Sequence, residues 1–87
     1  MKPTYQAIKT IEELKEYTKV CFKDLFISLG GGGIRSSKEI YYNEPNDTFE
    51  IFHGIDGSVG TYTIEQLAEE TNIITAMEKN ALFAEIY

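Results

Sequence analysis

The sequence is poor in the residues that build reactive or covalently braced sites. It has one cysteine, one histidine, two prolines and no tryptophan in 87 residues. A lone Cys21 excludes an intrachain disulfide and a multi-cysteine zinc site. Beside Phe22 and without a local catalytic signature, it reads as a small buried apolar residue. His53 has no second histidine to share a transition metal, and it reads as a packed or hydrogen-bonded strand residue. No apolar run approaches the roughly 20 residues that span a bilayer. The opening "MKPTYQAIKTIEELKE" lacks the apolar core of a signal peptide. These absences point to a cytoplasmic chain with no membrane segment, no metal and no cofactor.

Basic residues are scarce in the second half. Residues 1–42 carry seven basic and five acidic side chains, a net of +2, whereas residues 43–87 carry nine acidic side chains and Lys79 alone, a net of −8. An acidic half repels phosphate backbones, so direct nucleic-acid binding is disfavoured. The same charge suits a partner protein with a basic surface. Carboxylates gathered on one face would also mimic nucleic-acid charge.

What is present is the material of one small globular domain, 1–87. The apolar fraction is 43%, with six Tyr and five Phe, enough for a modest core. Thr10-Ile11-Glu12-Glu13 fits a helix-starting capping box, and apolar spacing continues a helix over about 11–21. Residues 24–29 alternate, with Leu25, Ile27 and Leu29 opposite Asp24, Phe26 and Ser28. Ile34, Ser36, Lys38, Ile40 and Tyr42 share one face of a second strand; Arg35, Ser37, Glu39 and Tyr41 share the other. "NEPND" at 43–47 is a turn. Phe49, Ile51 and His53 line one face of a third strand, and 59–62 suits a short fourth. Thr63-Ile64-Glu65-Gln66 is a second capping box, opening a helix over about 64–70 with Ile64, Leu67 and Ala68 inward. Asn72 caps a further helix through Ile73, Ala76 and Met77, which Asn80 ends in a left-handed conformation. The tail 81–87 reads as extended, at the sheet's edge.

The expected fold is therefore α+β: a small antiparallel β-meander of three to four strands, an N-terminal helix, and two short C-terminal helices packed on one face. Short turns between neighbouring strands impose antiparallel pairing. An open edge strand leaves monomer and homodimer both available.

The most conspicuous motif is "LGGGGIRSSKE" at 29–39. A phosphate loop needs a second glycine and then Lys at fixed offsets, followed by a helix. From each starting glycine that second glycine falls on Arg35, Ser36, Ser37 or Lys38, and the residues that follow read as a strand. A hairpin connection is the plain reading. A weaker ligand site remains, with Gly31, Gly32, Arg35, Ser36, Ser37 and Lys38 gripping a phosphoryl group or carboxylate. Strand alternation puts Arg35 and Ser37 opposite Ser36 and Lys38. A calcium loop around Asp56-Gly57-Ser58 fails, because Phe52, Gly54 and Thr63 stand where ligands belong.

The run "LFISLGGGGIRSSKEIYYNE", with "TNIITAMEKNALF" downstream, resembles small uncharacterised proteins of bacteriophages and bacterial mobile elements. The resemblance implies a small α+β cytoplasmic protein of unassigned role and no catalytic residues. The reading that follows is non-enzymatic protein binding through Arg35, Tyr41, Glu44, Asp47, Glu50, Asp56 and Tyr62.

Overall fold

A computed structural model of the chain describes residues 4–28 and 36–86. It contains strands β1 (Thr4–Ala7), β2 (Lys23–Ile27), β3 (Ser36–Asn43), β4 (Thr48–His53), β5 (Ser58–Tyr62) and β6 (Leu82–Ile86). The helices are α1 (Ile11–Thr18), α2 (Ile64–Glu70) and α3 (Ile73–Glu78). The strands form one antiparallel sheet in the order β1-β6-β2-β3-β4-β5.

The α+β class and the meander β2-β3-β4-β5 follow the expectation, but the sheet has six strands instead of three or four. The added strands come from the chain ends. Thr4–Ala7 is too short and too polar to announce itself, and it forms only by pairing with β6. The tail is a strand, yet it lies between β1 and β2 and not at the edge. A strand thus precedes the first helix.

Alternation decides what each strand buries. Leu25, Ile27, Ile40, Tyr42, Phe49, Ile51, Leu82 and Ala84 are buried on one side. Against them pack Leu14 of α1, Leu67 of α2, and Ile73, Ala76 and Met77 of α3. The three helices therefore cover one face of the sheet.

Local signals set most boundaries. The Thr10 hydroxyl accepts the Glu13 amide at 3.1 Å. At Thr63 and Gln66 both arms of the capping box close, at 3.2 and 3.0 Å. Asn80 takes a left-handed φ of 55° after α3. There the Ala81 amide reaches the Ala76 carbonyl and the Asn80 amide reaches that of Met77, the bond pair of a Schellman ending. Asn72 precedes α3, but its side chain makes no cap bond; the Thr71 hydroxyl accepts the Ile73 amide instead.

Three expectations need correction. Helix α1 stops at Thr18, not near 21, and the chain straightens into β2. Cys21 falls in that connection and is exposed, not buried. Ala68 is exposed as well, since the short α2 seats chiefly Leu67.

Candidate interaction face

The side of the sheet away from the helices has no covering element among the described residues. Register brings its side chains into rows. Phe26 pairs directly with Phe83, and Tyr5 meets Phe26 edge-on at 5.4 Å. Phe22 lies against Tyr41 at 5.5 Å, and Tyr41 pairs with Glu50. Between these rows Asp24 pairs with Glu39, Glu39 with Phe52, and Phe52 with Val59. Glu85 stands opposite Tyr5. Phe22, Phe52 and Val59 are 40%, 38% and 48% exposed, far more than a covered sheet face allows.

Among the described residues, the charged side chains that alternate onto this face are all acidic. Asp24, Glu39, Glu50 and Glu85 alternate onto it. Lys23 and Lys38 pair with the inward Ile40 and Leu25, and Lys23 extends over the Tyr17 ring at 5.6 Å. No Lys or Arg among the described residues alternates onto the outward face. Asp24 and Glu39 are directly opposite, and like charges so placed destabilise a sheet. Glu50 is steadied by the Asn43 amide nitrogen at 2.9 Å.

The residues singled out by sequence separate over more than one surface. Tyr41 and Glu50 are brought together on the outward face. Tyr62 is half-buried on the helix side, its hydroxyl 3.3 Å from His53 Nε2. Glu44 is exposed in the 3₁₀ turn Glu44–Asn46. Asp47 follows with a left-handed φ of 52°; it accepts the Tyr42 hydroxyl and pairs with Lys15 at 3.4 Å. The Tyr42 hydrogen bond and the Lys15 ammonium hold the Asp47 carboxyl below its ordinary pKa. This cluster fastens α1 to the β3–β4 turn. Asp56 sits in the β4–β5 hairpin, where it accepts the amide and hydroxyl of Ser58 at 2.9 and 2.7 Å. Those bonds lower its pKa.

Arg35, Gly31 and Gly32 lie outside the described residues. Of Ser36 and Ser37 the structure gives the backbone, in β3 opposite Ile27 and Phe26. Lys38 lines a depression of ≈ 600 Å³ together with Asp24, Glu39 and Asp56. An anion entering there meets three carboxylates for one ammonium. His53 and Ser58 are cross-strand partners, yet each side chain is engaged elsewhere: His53 with Tyr62, and Ser58 with Asp56.

Sequence reasoning passed over Phe22, Phe26, Phe52, Val59 and Phe83 as surface residues. The alternation of β2 and β3 did carry a signal, since it set Asp24 and Phe26 apart from the core. What was missing was register, which alone shows that these side chains adjoin. No helix of the described residues is long and apolar enough to cross a membrane. No family model, curated protein or solved structure matches the chain.

Proposed function

We propose that this protein is a non-enzymatic binding module that docks the outward face of its sheet onto a basic, partly apolar protein surface. One observation carries the reading: exposed aromatic side chains on that face surround directly opposed carboxylates. A fold gains nothing from placing Asp24 against Glu39, and a cationic partner would relieve the repulsion. Phe22, Tyr41 and Phe52 supply the broad, rigid contact area typical of binding centres. A small accessory role of the kind found among phage and mobile-element proteins fits this picture. Mimicry of nucleic-acid charge is its sharper form, with the four carboxylates standing for phosphates.

The test is capture of partners from host lysate with three baits: the native chain, a Phe22→Ala/Tyr41→Ala variant, and a Glu12→Gln/Glu13→Gln variant on α1, whose two side chains are exposed on the helix side. The captured protein should bind the native and α1 baits, leave the outward-face bait, and weaken steeply with salt. Retention by the outward-face variant, or binding indifferent to salt, overturns the proposal.

A further inference from the structure

Among the described residues, strand β5 is an edge of the sheet and pairs only with β4. Its sequence, SVGTY, contains no charge and no proline. Edge strands usually carry such features, because their free amides and carbonyls invite another strand to pair. The opposite edge differs: in the sequence, β1 follows Lys2 and Pro3 and is soon followed by Lys9. The β5 edge is thus the unguarded one.

Its surroundings specify what would pair with it. On the outward face, Val59 stands beside Phe52 and both are exposed. Ile55, in the turn between β4 and β5, is fully exposed. On the helix side α2 follows immediately, with Glu65, Glu69 and Glu70 exposed. From Glu39 to Glu78 the sequence contains no Lys or Arg, and that stretch includes β4, β5 and α2. A second copy of the chain would set these carboxylates against their own kind. An extended segment that alternates apolar and basic residues would complement both sides.

We infer that β5 receives an extended, basic segment of the partner as a seventh strand. The segment's apolar side chains lie on the Phe52–Val59 side and its Lys or Arg side chains on the α2 side. Backbone hydrogen bonds hold the strand, and the alternating side chains select it. The inference rests on the reading of a basic partner but uses different groups, the β5 backbone in place of the Phe22–Tyr41 pair.

The probe is the synthetic peptide KVKVKVK, with two isomers N-methylated at the valines or at the lysines. Charge is equal in all three, while each isomer lacks donors along one edge. Binding of the parent should protect the amides of residues 58–62 from hydrogen exchange. One isomer should bind about tenfold or more weakly, the loss of two or three hydrogen bonds worth about 1 kcal/mol each. The other isomer should match the parent. The Phe22→Ala/Tyr41→Ala variant should bind the peptide unchanged, so failure of face docking and failure of strand addition are distinguishable. Equal affinity of all three peptides, or no protection at 58–62, overturns the inference. So does protection at 58–62 that rises with protein concentration alone, which would assign the edge to a second copy.

Discussion

Phe49 and Phe52 belong to the same strand and the same residue type, yet they should respond very differently to truncation. Phe49 is fully buried and its ring lies 4.9 Å from that of Tyr42. Phe49→Ala removes that packing and leaves a cavity under the helices, at a cost of about 3–5 kcal/mol. Phe52 is 38% exposed, so about three-fifths of its surface is covered. Full burial of a phenylalanine is worth about 1.5–3 kcal/mol, so Phe52→Ala should cost about 1–2 kcal/mol. No closed cavity forms there, because solvent fills the space. A domain of this size has a total stability on the order of 5–10 kcal/mol. Phe49→Ala should therefore unfold much of the population, and Phe49→Leu provides a measurable substitute. Thermal and urea unfolding followed by circular dichroism should rank Phe49→Leu and Phe49→Ala below Phe52→Ala. One kcal/mol corresponds to roughly 4–8 °C in Tm. Equal losses at the two positions would refute the assignment of Phe49 to the core and Phe52 to an uncovered face.

Three further outcomes follow from single sites. In Gly60→Ala the new Cβ would meet Tyr62 Oη at 2.8 Å and His53 Nε2 at 3.0 Å. The ring must swing away, so the change should cost about 1 kcal/mol or slightly more and break the Tyr62–His53 contact, visible as displaced His53 ring resonances by NMR. Gly54→Ala meets nothing closer than the Phe52 ring at 4.0 Å and should leave those resonances in place. Asp47 has a folded pKa below its ordinary value of 3.8. Its contribution to stability is therefore present above that value and is lost as pH falls through the lower folded pKa. Asp47→Asn should flatten that part of the urea-midpoint profile, and an unchanged acid limb would count against the Tyr42–Asp47–Lys15 cluster. The Thr48 hydroxyl is buried without a hydrogen-bond partner, so Thr48→Val should be neutral or raise the Tm; a lower Tm would show that the hydroxyl is satisfied.

The fold was legible wherever a short-range signal governed it. Alternation in β2, β3 and β4 separated core from surface, and Thr63 with Gln66 fixed the start of α2. Asn80 marked the end of α3 through a conformation that few other residues tolerate. Long-range pairing was not legible. Thr4–Ala7 has no apolar pattern of its own and becomes a strand because β6 offers it an edge. The tail's alternation disclosed a strand, but not that it would insert between β1 and β2. Cys21 and Phe22 continued the helical spacing of α1, and only the early end at Thr18 turned them outward.

The candidate site shows the same division. Tyr41 and Glu50 were recognisable as strand residues near turns, and their pairing confirms a shared face. Their neighbours Phe22 and Asp24 come from β2 and the residue before it, and join them through register. Charge counted along the chain was also incomplete. The acidic second half suggested where carboxylates would gather, yet Asp24 and Glu39 belong to the first half. They share a face with Glu50 and Glu85 only in the folded sheet.

Hydroxyl-radical footprinting of the chain bound to its captured basic partner tests the central claim most directly. Oxidation of Phe22, Tyr41 and Phe52 should fall on binding, while that of Tyr17 and Ile74 on the helix side stays unchanged. Protection on the helix side with Phe22, Tyr41 and Phe52 still reactive would contradict the account.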